Sequence, residues 1–590
     1  MKKIKIFIGL MMIATLAILY SCNSNFLERY PLDQVSTPDY FKTAKDLQTY
    51  VNQFYCYNSF PVYFGAPSVS SLGYPNTDYP GGEAEDYGSD NAYVTTSVST
   101  RLLGSRTIND GGWSEWNRIR NVNFFFDHYQ ECKDNFADYQ QYVGEAHFFR
   151  AIYYFRKLRS HGAVPWISKS LQTNSEELLA PRSPRNVIAD SIIADLDKAA
   201  LYCSSAKGDG NARINKWVAL QFLSRVALYE GTWEKYHAGT VFAAPVSDPQ
   251  KYLTKAAAAA KEIMDSKLYD IYTTGKPNED YYNFFSTLRT YKGNPEVLFW
   301  TEFSIALNFV NTRNYELLYP RERGFTKQLA DAYLCKDGLP ISVSPLYRGD
   351  KTIADEAIDR DPRFKQQIFT PDAPWQIDPS GNIRYYSDAM QIINNGTNQN
   401  NCPTGYQNRK WYNPYTQYHS QNYEENPLIH YRYAEVLLNY AEAKAELGTL
   451  VQADLDISIN KLRDRVAMPH LIIASITTDP KWEFPALSPV INEIRRERRV
   501  ELANEGFRFN DIFRWAAADE LIIGKRPIGA RYNQFPNSVI TNYNSAGYLD
   551  PFKVMYPNGW QMNPGRDYLD PIPEAQIALN PALEQNPGWK

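Results

Sequence analysis

The side chains best suited to metal binding or covalent catalysis, histidine and cysteine, are few and widely scattered in this sequence. The chain has 7 His and 6 Cys in 590 residues, without metal-ligand spacing and without a Cys-x-x-Cys pair. It also lacks a Gly-x-Ser-x-Gly elbow, a His-Glu-x-x-His pair, a Walker loop and an EF-hand loop. We therefore assign no catalytic residue, no metal ligand and no cofactor, and we expect isolated thiols rather than a disulfide framework.

Carboxylates are abundant, with 66 Asp and Glu in the chain. A glycosidase pair therefore stays open as an alternative, because two carboxyl groups roughly 5–10 Å apart can come from anywhere in a fold. The densest charged cluster, residues 491–502, has a simpler explanation. Glu493 can meet Arg496, and Glu501 can meet Arg498, at neighbouring positions on one helix. We interpret this cluster as scaffold.

Aromatic side chains are the more informative chemistry, since 44 Tyr, 12 Trp and 29 Phe make up 14% of the chain. Many lie beside Asn, Gln, Pro and Gly in residues 50–95 and 370–427, which we predict to be long loops; loops of this kind usually carry function. Tyr and Trp combine a flat apolar face with a polar tip, so they suit a half-polar ligand. The net charge of −4 argues against nucleic acid as that ligand. The candidate ligand-binding residues are Tyr74, Tyr79, Tyr87, Asp90, Asn91, Tyr93, Trp375, Tyr406, Trp411 and Tyr412.

The elements that must position these loops are amphipathic helices arranged in pairs. Apolar residues recur at helical spacing and form stripes too narrow to be buried all round, so each helix must lie on a neighbour. Gly448 is the expected C-terminal signal of one helix, and Ser488 with Pro489 the start of another. Short strands are expected near residues 296–303. The predicted helices cover residues 113–131, 140–160, 188–199, 219–227, 250–266, 434–445, 455–466 and 488–504.

The N-terminal segment is predicted to be an export signal. Lys2, Lys3 and Lys5 precede an apolar run over residues 6–20, which is short for a membrane anchor. The run ends in Leu-Tyr-Ser-Cys, which looks like a bacterial lipobox. We predict a signal peptide over residues 1–21 and lipidation of Cys22, whose acyl chains would anchor the mature protein.

Several segments together resemble the SusD/RagB family of outer-membrane lipoproteins from Bacteroidetes-type bacteria. They include Gly-Glu-Ala-His-Phe-Phe-Arg-Ala at 144–151, Arg-Tyr-Ala-Glu-Val-Leu-Leu-Asn-Tyr-Ala-Glu-Ala at 432–443 and Glu-Arg-Arg-Val-Glu-Leu at 497–502. Each motif alone is weak, but their shared order along the mature chain is specific. The further matching segments are 26–31, 162–165, 193–199, 361–363, 459–465, 505–515, 569–573, 580–581 and 585–588.

The resemblance implies a mainly α, tetratricopeptide-like scaffold of helix pairs with long irregular loops and a few short strands. It implies a single domain over residues 22–590, with an N-terminal part at about 22–230 and a C-terminal part at about 270–590. It also implies an outer-membrane location facing the cell exterior and a SusC-like TonB-dependent barrel as partner.

The family's usual task is non-catalytic capture of oligosaccharides, or of peptides in some members. Tyr and Trp would cover the apolar faces of a sugar ring, and Asn, Gln and Asp would bind its hydroxyls. A glycoside hydrolase, and a structural subunit whose aromatic loops face the barrel, remain the alternatives.

Overall fold

The computed structural model of the chain describes residues 40–55, 86–95, 98–208, 213–307, 309–389, 401–420, 424–535 and 542–589. Cys22, Tyr74 and Tyr79 lie outside these ranges, as does the predicted signal peptide. Within them the protein is mainly helical with a few short strands, as the sequence predicted.

A helical segment lies at each predicted position, with most ends within a few residues, and the described residues contain ten further helices of nine residues or fewer that the apolar stripes did not predict. The bounds of all these helices, in chain order, are α1 Ala44–Asn52, α2 Trp116–His128, α3 Phe136–His161, α4 Arg185–Tyr202, α5 Lys216–Tyr236, α6 Pro249–Ser266, α7 Asp280–Ser286, α8 Arg313–Leu318, α9 Lys327–Ala332, α10 Ile353–Glu356, α11 Arg363–Gln367, α12 Tyr386–Ala389, α13 Tyr433–Glu446, α14 Gln452–Asp456, α15 Ile459–Arg465, α16 Pro489–Glu501, α17 Arg508–Arg514, α18 Ala518–Leu521 and α19 Glu574–Leu579.

Consecutive long helices pack side by side and build the core. Helix α3 packs on α4, α4 on α5, α5 on α6, and α6 on α13, which in turn contacts α16. Small residues allow the closest approach: a Cβ added at Gly231 of α5 would lie 2.8 Å from Leu253 Cγ of α6. The N-terminal and C-terminal helices therefore share one hydrophobic core.

The predicted C-terminal signal at Gly448 is confirmed, whereas one predicted helix is divided into two. After α13, Gly448 has a φ of +70°; its N–H donates to Ala445 O, and the Thr449 N–H donates to Lys444 O, each at 3.0 Å. This is a Schellman ending, which favours glycine. The single helix predicted over residues 455–466 is wrong, because the chain forms α14 and α15 with a break at Ser458, whose hydroxyl donates to Asp454 O.

The strands form three antiparallel pairs that tie distant segments together. The strands are β1 Ala92–Val94, β2 Val297–Thr301, β3 Arg323–Phe325, β4 Pro374–Ile377, β5 Ile383–Tyr385 and β6 Leu428–Arg432. They pair as β1 with β3, β2 with β6 and β4 with β5. In the first pair Tyr93 lies opposite Gly324, so residues 86–95 are held against the segment that follows α8.

A buried network of ion pairs joins α16 to its surroundings. Glu501 accepts hydrogen bonds from Arg465 at 2.5 Å, Arg432 at 2.8 Å and Arg363 at 3.0 Å. The predicted pair of Glu501 with Arg498 is therefore wrong, because Glu501 points inward while Arg498 binds Asp511. The predicted Glu493–Arg496 pair is present at 3.3 Å.

Candidate ligand-binding site

Two half-buried tyrosines stand together at one surface of the fold. Helix α8 buries Asn314, Leu317 and Leu318. Tyr315 and Tyr319, one helical turn apart, therefore lie on the outward side, half-buried. Their ring centroids are 4.9 Å apart with planes at 67°. This edge-to-face contact fixes both rings in place.

The turn after α8 is held in an uncommon backbone conformation. Arg321 and Glu322 have φ values of +49° and +63°, a region that non-glycine residues seldom occupy. The turn is fastened because the Glu322 N–H donates to Asn401 O at 2.7 Å and the Arg323 N–H donates to Pro320 O at 3.0 Å. Left-handed positions of this kind cost energy and cluster at binding sites.

Two guanidinium groups from this turn lie beside the tyrosines. Arg321 binds the Glu316 carboxylate at 2.9 Å, and Arg323 binds the same group at 3.3 Å. The Arg321 guanidinium carbon is 5.8 Å from the centroid of Tyr315, and that of Arg323 is 5.9 Å from the centroid of Tyr87. These cation–π distances bring Tyr87 to the same surface.

The side-chain amides of Gln407 and Asn408 lie at the same surface, next to strand β3. Asn408 and Gln407 line a small pocket together with Tyr87 and Arg323. The Asn408 Nδ2 atom is buried and has no hydrogen-bond partner among the residues that the structure describes. The strand passes so close that a Cβ at Gly324 would overlap the Thr404 hydroxyl. A buried amide donor without a partner favours a ligand oxygen there.

We call this surface the tyrosine face. It presents flat apolar rings next to guanidinium and amide donors, which is the pairing that a half-polar ligand needs. Its members are Tyr87, Tyr315, Tyr319, Arg321, Arg323 and Asn408.

Among the predicted residues near β1, the structure places only Tyr87 on the tyrosine face. The Asp90 carboxylate is paired with Arg508 at 2.7 Å and with Arg499 at 3.0 Å, and Asn91 Oδ1 accepts from Arg499 Nε at 2.7 Å. Tyr93 is buried against Phe552, with ring centroids 5.3 Å apart. Asp90, Asn91 and Tyr93 therefore join β1 to the scaffold.

The predicted aromatic residues between 370 and 427 lie in the hydrophobic interior. Trp375, Trp411 and Tyr412 are only 4%, 2% and 0% exposed. Trp375 and Tyr412 stack on each other at 5.3 Å, and the Arg313 guanidinium covers Trp411 at 4.0 Å. Tyr406 is buried, and its hydroxyl donates to Glu356 at 2.7 Å. Other side chains cover the faces of these rings, so here they pack the core.

The charged and amide members of the tyrosine face were not among the sequence candidates. Nor were Tyr315 and Tyr319, which share a Tyr-rich part of the sequence with Tyr281 and Tyr282; the latter two are buried. The available sequence signal was two tyrosines four positions apart followed by Pro320, the first residue of the turn over 320–323. Nothing in the sequence pattern marked Arg321, Arg323 or Asn408.

The described residues contain no group of three or more His, Cys, Asp or Glu side chains arranged to hold a metal ion. Cys132, Cys203, Cys335 and Cys402 are free thiols. In the same part of the chain, no helix has the length and apolar character required to cross a membrane.

Two family models match the chain. The model described as "SusD family" matches residues 304–589, and the model described as "Starch-binding associating with outer membrane" matches residues 84–228. Together they span most of the chain; the second includes Tyr87 of the tyrosine face, and the first includes its other members.

Individual relatives agree with the family models. The chain is 25% identical over 541 residues to a SusD-like protein, P38, from Formosa agariphila, covering 88% of this chain and 94% of that protein. A solved SusD-like protein from Bacteroides fragilis superposes with a TM-score of 0.68 at 23% identity, covering 95% of this chain and 100% of the other. A SusD-like carbohydrate-binding protein from the same organism gives 0.67 at 21%, covering 92% and 99%.

Proposed function

We propose that this chain, which belongs to the SusD family, captures oligosaccharides at the outer membrane without cleaving them and delivers them to a SusC-like TonB-dependent barrel. The tyrosine face is the observation that carries this proposal. The name of the solved carbohydrate-binding relative supports the same class of ligand.

The chemistry of a sugar ring matches this face. A pyranose has apolar C–H surfaces, which the half-buried rings of Tyr315, Tyr319 and Tyr87 can cover. Its hydroxyl groups accept hydrogen bonds, which Arg321 and the unpartnered Asn408 amide can donate. The face is held rigid by its ion pairs and its strained turn, so little ordering is required when a ligand binds.

The carboxylates at this face are already engaged, which supports binding without hydrolysis. Glu316 holds both Arg321 and Arg323, and the Glu322 carboxylate accepts from the Thr95 hydroxyl. A glycosidase needs one carboxylic acid to protonate the leaving oxygen and a second carboxylate to act as base or nucleophile. Glu316, whose two oxygens are each held by a guanidinium, is poorly placed for either role.

The barrel partner and the lipid anchor at Cys22 complete the proposal. Family membership supports the barrel partner and the lipobox-like sequence supports the anchor, and Cys22 lies outside the described residues. Lipidation would hold the protein at the membrane, while the fold presents the tyrosine face to the ligand.

The test is calorimetric binding of a panel of neutral oligosaccharides to wild type and to a Tyr315→Ala, Tyr319→Ala double variant. Each lost stacking ring is expected to cost about 0.5–1.5 kcal/mol, so the double variant should bind about 5-fold to 150-fold more weakly. The matched control is Tyr202→Ala, which removes a half-buried tyrosine that packs on Phe136 in the helical scaffold. Unchanged oligosaccharide affinity in the double variant would show that the tyrosine face is not the binding site. Binding of peptides but of no oligosaccharide would favour peptide capture.

A further inference from the structure

A second cleft, separate from the tyrosine face, opens between helix α9, helix α16 and the segment around Trp482. Its volume is about 360 Å³, at the lower end of the range for small-molecule sites. The two pockets have no lining residue in common. We call this space the Trp482 cleft; its lining includes Gln328, Asp331, Trp482, Glu483, Arg496 and the predicted ligand-binding residue Asp90, whose carboxylate is held by Arg508 and Arg499.

The charges on the inner wall of the Trp482 cleft neutralise one another. Arg496 binds Asp479 at 2.6 Å and Glu493 at 3.3 Å. Glu483 is bound by Arg508 at 2.8 Å and also by Arg499. A charged ligand would gain little from these paired groups, and Lys481, Lys525 and Glu520 add charges of both signs to the lining, so the cleft as a whole favours a neutral ligand rich in hydrogen-bonding groups.

The carboxylates of Glu483 and Asp479 are also ionised at neutral pH. Burial would raise the pKa of Glu483, but the guanidiniums of Arg508 and Arg499 lower it to about 2. Burial likewise opposes ionisation of Asp479, but hydrogen bonds from Ser342 and Arg496 lower its pKa. The ion pairs therefore persist over the physiological range.

Two groups in the cleft are placed to meet a sugar. Trp482 is half-buried, and its indole N–H donates to Glu493 Oε1 at 3.3 Å, which fixes the plane of the ring. The Gln328 amide donates to Arg526 O at 3.3 Å, while its Oε1 atom is buried and has no partner in the described part of the chain. A ligand hydroxyl would satisfy that acceptor.

We propose that the Trp482 cleft is a second carbohydrate subsite, which takes a neutral sugar ring against the Trp482 indole and binds one of its hydroxyls at Gln328 Oε1. The proposal takes its ligand class from the proposed function. Its volume suits a small ligand or the end of a longer chain.

The test counts bound oligosaccharides by native mass spectrometry and measures their affinity by calorimetry. The probes are short gluco-, xylo- and manno-oligosaccharides, with oligogalacturonate as the charged comparison. Trp482→Ala is expected to remove one of two bound ligands or to weaken that site about tenfold, and Trp482→Phe to restore it in part. Gln328→Leu should weaken binding at the same site, and it provides the test if Trp482→Ala does not fold.

The outcomes separate this inference from the proposed function. One bound ligand in wild type, unaffected by Trp482→Ala and Gln328→Leu but lost in the Tyr315→Ala, Tyr319→Ala variant, would overturn the Trp482 subsite and leave the proposed function standing. Preferential binding of oligogalacturonate at the cleft would also overturn it. Absence of any oligosaccharide bound to wild type would contradict both proposals.

Discussion

Replacing Glu501 with glutamine is expected to destabilise the scaffold strongly while leaving ligand affinity unchanged. The substitution keeps the shape of the side chain and removes its charge. Glu501 is fully buried and its carboxylate contacts three guanidiniums at 2.5–3.0 Å. Cations and carboxylates are matched one for one in this cluster, namely Arg363, Lys410, Arg432, Arg463 and Arg465 with Glu296, Asp361, Glu497, Glu501 and Glu505.

The expected loss is about 3 kcal/mol of unfolding free energy. Removing one partner of a buried ion pair costs about 3–5 kcal/mol, because a charge is left buried without compensation. The lower end applies because Arg432 keeps Glu296 and Glu505, while Arg465 keeps Glu296. The glutamine also turns an N–H toward an arginine, which prevents a complete hydrogen-bond replacement.

The assay is guanidinium unfolding of wild type and Glu501→Gln across acidic and neutral pH. The control, Asp197→Asn, breaks the exposed pair with Lys255 and is expected to cost less than about 1 kcal/mol. Burial would raise the pKa of Glu501, but Arg465, Arg432 and Arg363 hold it far below 4.5. The stability that Glu501 contributes is therefore present above pH 4.5 and lost as the pH falls below it. The difference in unfolding free energy between wild type and variant should then shrink in acid. A loss no larger than that of Asp197→Asn, or one independent of pH, would refute the scaffold interpretation.

Two further predictions concern a buried acid and the lipid anchor. Burial raises the pKa of Asp86 to about 7, although backbone hydrogen bonds from Arg508 and Asn504 lower it. The stability that protonated Asp86 contributes is therefore present below pH 3.8 and lost as the pH rises toward 7. Between pH 3.8 and 7 the unfolding free energy of wild type should fall by up to about 1.4 kcal/mol per pH unit because of Asp86, and Asp86→Asn should remove this contribution. Denaturant titrations over this pH range measure the difference. Identical pH profiles of wild type and variant would contradict the prediction. Cys22→Ala should release the protein from membrane fractions and abolish incorporation of labelled lipid, whereas continued incorporation would show that the lipobox interpretation is wrong.

The scaffold could be predicted closely because its signals are local. The apolar stripe of α13 and the glycine that ends it, Gly448, depend only on spacing within one helix. The break at Ser458 was missed, because Leu455 and Ile459 continue a helical stripe across it and both are fully buried. The periodicity of apolar residues indicates which side of a helix faces the core, but it does not indicate that one turn of the helix is interrupted.

The candidate site could be predicted only in part, because aromatic composition does not show whether a ring is covered. Trp375 and Tyr412 have the composition of a binding loop, yet they stack on each other in the interior. Tyr315 and Tyr319 remain at the surface because Leu317 and Leu318 take the buried side of a short helix. The partners that define the tyrosine face come from segments far apart in sequence, as with Tyr87 and Arg323.

The most direct test of the central claim is to equilibrate wild type with neutral oligosaccharides, recover the bound fraction, and determine its chain length by mass spectrometry. Capture without catalysis predicts that at least one oligosaccharide is retained by the protein and is recovered with its length unchanged after prolonged incubation. Release of shortened products, abolished by substitution of a single carboxylate, would establish a glycoside hydrolase and contradict the account. Retention of peptides with no oligosaccharide bound would contradict it equally.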